Sequence, residues 1–262
     1  MTDFRAPSTH RFERVANFRD MGGHTTRDGK RLATGRLLRA GHLGHASDND
    51  LETLEPYGLR RVFDFRTAAD IEHEGIDRLT SKAESVLLPM PDPAKGADIR
   101  SLMEGATEDD LHGIFGDGKA EKMMSESAAG LVRERREPYS LFLKALADPS
   151  QVPALFHCSA GKDRAGWAGS VVLLTLGVPE DQVIEQYLLS NRAAEEIMER
   201  SAVQGSNFWH DALAPLIGVR EEYIQASFDA VASDWGDFDT YLSEGLGVTK
   251  EECEAIRANL LD

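Results

Sequence analysis

Seven residues in the middle of the chain, Cys158-Ser159-Ala160-Gly161-Lys162-Asp163-Arg164, hold a thiol and a guanidinium at Cys-x5-Arg spacing. Before them stands a short apolar run, Val152 to Phe156, and after them Arg164 to Leu176 is apolar almost all round. That pattern predicts a buried strand, a tight loop and a buried helix. Such a loop turns successive backbone N–H groups toward one point at a helix N-terminus, where an oxyanion is favoured. The guanidinium of Arg164 can fork onto two of the oxyanion's oxygens. The same field favours the thiolate of Cys158, the nucleophilic form. The loop thus offers a nucleophile and a phosphate cradle together. The bland alternative is a buried Cys at a strand end and a surface Arg on the next helix. His157, Gly161, Gly166 and the strand–loop–helix context favour the chemical reading.

The elements that must position this loop are readable around it. Asn17 to Gly23 is turn-rich, Asp28-Gly29 is a hairpin-turn signal, and Arg36 to Ala40 predicts a short strand leading into Gly41. Ser47 with Asp50 starts a helix that stops near Gly58. Arg61 to Phe65 reads as a strand, and Thr67 with Asp70 caps a second helix. Glu84 to Met90 is a further strand, ended by the PMPDP stretch. Residues 93–119 are Gly- and acid-rich with weak patterning, as in a small helical insertion or a lid. Lys122 to Ala147 is helical in composition, with Pro138 as its divide. Helices follow at Gln182–Arg200, Arg220–Ser233 and Lys250–Leu260. Strands alternating with helices, then a helical second half, give an α/β fold with one sheet.

At 262 residues the chain is long enough for a real core without disulfides or metals. Two cysteines 95 positions apart exclude a disulfide framework and paired-cysteine metal sites. The start of the chain carries no apolar signal region, and no apolar run approaches a membrane span. The expectation is a cytoplasmic protein without stable membrane insertion, for which export by a route without a cleavable signal stays open. Net charge is −16, unevenly placed: residues 1–100 carry 16 Lys/Arg and 16 Asp/Glu, residues 101–262 carry 13 and 29. A field of that sign repels nucleic acid and anionic membranes. A phosphorylated substrate must therefore be caught by a local site against the global field.

The sequence HCSAGKDRAG resembles the signature loop of cysteine-dependent phosphatases. Together with NFRDMGG, LLRAGHL, VFDFRT and the C-terminal YIQASFDAVASDWGDFDTYLSEGLGV, it resembles the bacterial atypical tyrosine phosphatases, some of which act on phosphoproteins and phosphoinositides. These pieces span most of the chain, so the resemblance implies a single phosphatase domain over 1–262. It implies a central sheet flanked by helices, with a helical lid-like insertion at about 93–137.

By that resemblance Cys158 attacks phosphorus and carries the cysteinyl-phosphate, and Arg164 binds the phosphoryl oxygens. Ser159, Ala160, Gly161, Lys162 and Asp163 complete the phosphate-binding loop, with Lys162 adding positive charge. His157 reads as a hydrogen-bonding support for the loop rather than a base. Asp163 is the favoured general acid, from its place in the loops of the resembling proteins. Beside a thiolate, like-charge repulsion favours the acid form of such a residue. Asp92, in PMPDP, and Asp64, in VFDFRT, are the alternatives, and Asp64 also reads as a loop anchor. One position departs from the family: Ala165 stands where Ser or Thr is usual. The missing hydroxyl normally stabilises the departing sulfur, so a burst followed by slow turnover is expected.

Weaker signals are read more plainly. Arg19 and Asp20 could reach the site, but an ion pair bracing the first strand is the favoured reading, and Arg66 is either a brace or a site residue. His42 and His45 have metal-like spacing but no third ligand, and no metal or other cofactor is expected. Trp167, Trp209 and Trp235 read as packing, and Cys253 as an ordinary thiol. The expected substrate is a phosphotyrosine protein or peptide, with a phosphoinositide as a further class. Ala165 keeps a phosphate-recognition module without turnover as the alternative, and a rhodanese-type sulfurtransferase is a distant third. The oligomeric state is not readable.

Overall fold

The computed structural model describes residues 12–91, 107–202 and 214–262. Five strands form one sheet: β1 (Arg19–Asp20), β2 (Leu37–Ala40), β3 (Arg61–Asp64), β4 (Glu84–Leu87) and β5 (Ala154–His157), in the order β1-β2-β5-β3-β4. β2, β5, β3 and β4 run parallel, and β1 returns antiparallel on β2. Each buried strand alternates between two cores, as a pleated sheet covered on both faces requires. Leu37, Phe63, Ala154 and Phe156 face the larger core, whereas Leu38, Ala40, Val62 and Leu155 face the smaller.

The smaller core is covered by α1 (Asp48–Leu54), which a Ser47–Asp50 capping box starts; a 3₁₀ turn and then Gly58 at φ 60 end the segment. On β3 follows α2 (Ala68–Glu74), with a Thr67–Asp70 capping box. The helices of the second half are α3 (Glu108–Phe115), α4 (Lys119–Glu134), α5 (Arg136–Leu146), α6 (Arg164–Leu176), α7 (Glu180–Leu188), α8 (Asn191–Ala202), α9 (Glu221–Trp235) and α10 (Lys250–Leu260). Among them α6 is almost entirely buried, as its apolar composition requires. α4, within residues 93–137, packs along α9 and buries Met124, Leu131 and Val132 in the larger core.

Three local expectations are corrected. The helix over 122–147 divides at Arg135, not at Pro138; Pro138 lies in the first turn of α5, where its missing N–H costs nothing. The helix expected over 182–200 is two helices that part at Ser190, whose hydroxyl has other work. The strand expected over 84–90 keeps ladder geometry only to Leu87, although the amides of Leu88 and Met90 still donate to the carbonyls of Asp64 and Phe65.

The register sets Ala40, Asp64 and His157 side by side, at the carboxyl ends of β2, β3 and β5. A site in an open parallel sheet belongs at these ends. The segment Cys158–Asp163 joins β5 to α6 there.

Candidate active site

The loop is shaped by what its carbonyls do. Eight consecutive carbonyls, His157 to Arg164, are tied to donors around the loop. They accept, in order, from the Phe65 amide, His157 Nδ1, the His42 amide, Asn17 Nδ2, Arg39 Nε, Arg39 Nη2, the Trp167 amide and the Tyr139 hydroxyl. With the carbonyls held outward, the amides are left for a ligand. Among the described residues, no acceptor lies on the amides of Ser159 through Asp163. Free amides in succession at the start of a helix suit an anion.

Gly161 makes the turn. Its φ is +71, and a Cβ there would lie 2.2 Å from the carbonyl oxygen of Ala40. Only glycine allows that approach.

Cys158 is 3% exposed at the floor of the loop. Arg164, also 3% exposed, opens α6. Its Nη1 donates to Oδ2 of Asp70 at 2.8 Å and to the carbonyls of Met90 at 3.1 Å and Phe65 at 3.4 Å, and its Nη2 donates to Oγ of Ser159 at 3.1 Å. Asp70 is depressed below the ordinary carboxylate range: burial works against its charge, and the Arg164 guanidinium with the Thr67 donors outweighs it. Asp70 therefore has a second task besides capping α2, one that the sequence reading missed.

Lys162 turns sideways. Its ammonium donates to the carbonyls of Leu216 at 2.7 Å and Gly218 at 3.3 Å, and lies 3.1 Å from the Asp163 carboxylate. Asp163 occupies the N-cap position of α6 without a side-chain cap bond.

His157 faces Asp77, with Nε2 2.8 Å from Oδ2, while Nδ1 donates to the Cys158 carbonyl at 3.1 Å. Both nitrogens are occupied by structural partners, which fits a support for the loop. Asp64 receives the Arg66 amide, Nε and Nη2, all within 3.2 Å. Arg66 is fully buried and also meets Asp77 at 2.8 Å and Glu74 at 3.5 Å. It is a brace. Asp64, Asp77 and His157 lie close enough to hold a metal ion, but the Arg66 guanidinium already stands among them. Asp77 is lowered: its burial is outweighed by His157, Arg66 and the Leu43 amide. Asp92 lies outside the described residues, as does Trp209.

The expected Arg19–Asp20 ion pair does not form. Consecutive strand residues point to opposite faces, and Asp20 accepts from the amides of Gly22 and Gly35, whereas Arg19 donates to Asn17 Oδ1 and Ser190 Oγ. His42 and His45 stack edge to face, 5.1 Å apart. Trp167 and Trp235 pack on Tyr241.

A Cys-x5-Arg loop at the carboxyl end of a parallel sheet, backed by a buried helix, is the arrangement of a cysteine-dependent phosphatase. The tyrosine phosphatase family matches residues 10–262, and the chain belongs to that family. It is 30% identical over 239 residues to a protein of Cupriavidus necator that carries a provisional tyrosine-protein phosphatase name, covering 90% of this chain and 84% of that one. It is 27% identical over 270 residues to the triple specificity protein phosphatase PtpB of Mycobacterium tuberculosis, covering 94% and 96%. A tyrosine-protein phosphatase of Nostoc commune is 24% identical over 231 residues, covering 86% and 74%. The chain is accordingly a protein tyrosine phosphatase that works through a cysteine, and the recognition-only alternative is not favoured. No helix among the described residues is long and apolar enough to cross a membrane.

Proposed function

We propose that this phosphatase hydrolyses phosphotyrosine in proteins or peptides, with a phosphoinositide as a further substrate class, through Cys158, Asp163 and Arg164. The observation that carries the reading is the loop itself. Its carbonyls are tied to donors around it, its amides carry no acceptor among the described residues, and its thiol is buried. Three equatorial phosphoryl oxygens match the amides of Ser159–Asp163 and the guanidinium of Arg164. The Cys158 thiolate attacks phosphorus, a P–S bond forms and the P–O bond to the leaving group breaks. Asp163 delivers a proton to the leaving oxygen. In the second step water attacks phosphorus, the P–S bond breaks, and the Asp163 carboxylate takes the proton that water loses. Thiolate and inorganic phosphate result.

Asp163 is favoured over Asp64 because buried Asp64 is held by the amide, Nε and Nη2 of Arg66, whereas Asp163 meets one ammonium, that of Lys162, at 3.1 and 3.4 Å and is the more exposed of the two. Lys162, whose ammonium lies on the carbonyls of Leu216 and Gly218, acts on the geometry of Asp163 and of that neighbouring segment. A phosphoinositide as a further class is consistent with the triple specificity for which PtpB, a relative aligned over 94% of this chain, is named.

The test is hydrolysis of p-nitrophenyl phosphate, a phosphotyrosine peptide and a phosphoinositide vesicle, all with chelator present. Activity that survives chelator and disappears in Cys158→Ser supports the reading. Asp163→Asn is expected to lower turnover of poor leaving groups by about 10²–10⁴-fold and to spare p-nitrophenol, which leaves without a proton. Equal losses on both leaving groups would remove Asp163 from the acid role.

A further inference from the structure

Behind the loop, two arginines share one neutral acceptor. The β1–β2 register sets Arg19 opposite Arg39. Oγ of Ser190, at the break between α7 and α8, lies 2.8 Å from Arg19 Nη2 and 3.3 Å from Arg39 Nη2. Arg39 is fully buried, and its other bonds run to the carbonyls of Gly161 (2.9 Å) and Lys162 (3.2 Å) and to Gln186 Oε1 (3.1 Å). Arg19 donates to Asn17 Oδ1, and its buried Nε has no hydrogen-bond partner among the described residues.

Every one of these acceptors is neutral. Among the described residues neither guanidinium reaches a carboxylate within ion-pair distance. A buried cation without a counter-ion is strongly disfavoured. This protein avoids the problem elsewhere: buried Arg66 sits among Asp64, Glu74 and Asp77. Among the described residues the buried arginine without a carboxylate is Arg39, and it is the one that holds the Gly161 and Lys162 carbonyls of the loop, with half-buried Arg19 beside it.

We infer that Arg39 and Arg19 form a fixed cationic platform behind the loop, whose counter-ion is the Cys158 thiolate and, once bound, the substrate's phosphoryl group. The inference rests on the phosphatase reading of the loop and adds two positioning residues to it. Arg39 aims the amides by holding two carbonyls, and both arginines favour negative charge in the cradle. The cations of the loop itself are already paired, Arg164 with Asp70 and Lys162 with Asp163, and the His157 ring is hydrogen-bonded to Asp77. On the remaining side, Tyr187 of α7 is kept neutral by its burial, and Arg192 of α8 adds positive charge near Arg19. Burial pushes Arg39 down to about 10, against which Cys158, Tyr187 and Asp163 favour its charged form.

The test separates charge from geometry, in full-length protein carrying Cys253→Ser so that one thiol reports. The pH dependence of Cys158 alkylation by iodoacetamide, a neutral reagent, reads the thiolate. Binding of inorganic phosphate, followed by thermal shift, reads the cradle. Arg39→Met is expected to move the alkylation midpoint up by about one pH unit or more and to weaken phosphate binding about tenfold or more. Arg39→Lys is expected to keep the midpoint near wild type and still to weaken phosphate binding, because one ammonium cannot hold both carbonyls. Asn17→Ala reads the geometric share, because Arg19 buttresses Asn17 and Asn17 Nδ2 holds the Ala160 carbonyl, and Arg19→Met, which removes no direct bond to the loop, carries the charge test even if Arg39→Met fails to fold. Its midpoint is expected to rise and its phosphate affinity to fall, by less than for Arg39→Met. Unchanged midpoint and phosphate affinity in Arg19→Met would overturn the platform, as would a wild-type midpoint in folded Arg39→Met. A wild-type protein without Cys158-dependent hydrolysis would instead remove the phosphatase reading beneath it.

Discussion

Oδ2 of Asp70 lies 2.8 Å from Nη1 of Arg164 and, at the same time, accepts from the amide and the hydroxyl of Thr67, each at 3.0 Å. One carboxylate oxygen thereby ties the start of α2 to the start of α6. In the proposed reading Arg164 presents a forked pair of donors to a phosphoryl group, and a guanidinium already held in place loses less freedom when it does so.

Asp70→Asn keeps an acceptor for the cap but removes the charge opposite Arg164. Its kcat is expected to fall by about tenfold or more with a smaller change in KM, as for a contact that matters most in the transition state. The change in thermal stability is expected to be modest, because the cap survives. Asp70→Glu should recover part of the activity if the carboxylate positions Arg164. Steady-state kinetics on p-nitrophenyl phosphate decide it, and a wild-type kcat in Asp70→Asn would remove the positioning role.

Acid sensitivity follows from Asp70 and Asp77. Both are held below the ordinary carboxylate value of 3.8 in the folded protein. The unfolded chain therefore takes up protons near pH 4 while these two groups stay ionised, so unfolding becomes easier as pH falls. Their contribution is complete above about pH 5 and is lost as pH drops through their folded values. Urea unfolding at pH 3, 4, 5 and 7 should show a fall below pH 4 that is shallower in Asp77→Asn. An equally steep fall in that variant would place the acid-sensitive charges elsewhere.

Much of this was legible because it is local. An apolar strand, a Cys-x5-Arg loop and an all-apolar helix are contiguous, and the helix was expected at Arg164–Leu176, where it stands. The capping boxes at Ser47 and Thr67 are three-residue patterns and were equally readable. What escaped were second uses of residues already explained. Asp70 satisfied the reading as a cap, and its other partner is 94 positions away. Arg39 passed as one residue of a strand, although a charge flanked by Leu38 and Ala40 in so short a strand is a signal of a buried cation with a task. Lys162 was read from its place in the motif, but its direction is set by carbonyls more than fifty residues downstream. Ser190 divides a helix for reasons that lie on β1 and β2, which helical periodicity does not carry.

The loop's dependence on Gly161 gives a sharper expectation. Gly161→Ala must relieve a contact of 2.2 Å with the Ala40 carbonyl oxygen at a φ of +71 that alanine disfavours. The backbone is held on both sides, the Ala160 carbonyl by Asn17 and the Gly161 and Lys162 carbonyls by Arg39, and the opposing atom is itself backbone, so the strain cannot be absorbed by a flexible side chain. Loss of activity of about 10²-fold or more is expected, since small displacements of aligned groups cost that much. A destabilisation of about 1–3 kcal/mol should accompany it. Circular dichroism melting and turnover of the same preparation test the pair, and wild-type turnover in Gly161→Ala would show that the turn is not required.

Ala165 follows Arg164 and is fully buried in α6. Its methyl group offers no proton to the sulfur that departs when the P–S bond breaks. The first step needs only the thiolate, the cradle and a proton for the leaving oxygen, so it is unaffected by this residue. Wild-type protein mixed with p-nitrophenyl phosphate is therefore expected to release one equivalent of nitrophenol quickly and then turn over slowly. Ala165→Ser places a hydroxyl beside the loop at the cost of burying it, and should raise the steady-state rate by about tenfold while the burst shrinks. Stopped-flow absorbance on both proteins measures the burst and the steady state in one trace. Absence of a burst in the wild type, with an unchanged second step in Ala165→Ser, would mean that a hydroxyl at this position is not what stabilises the departing sulfur.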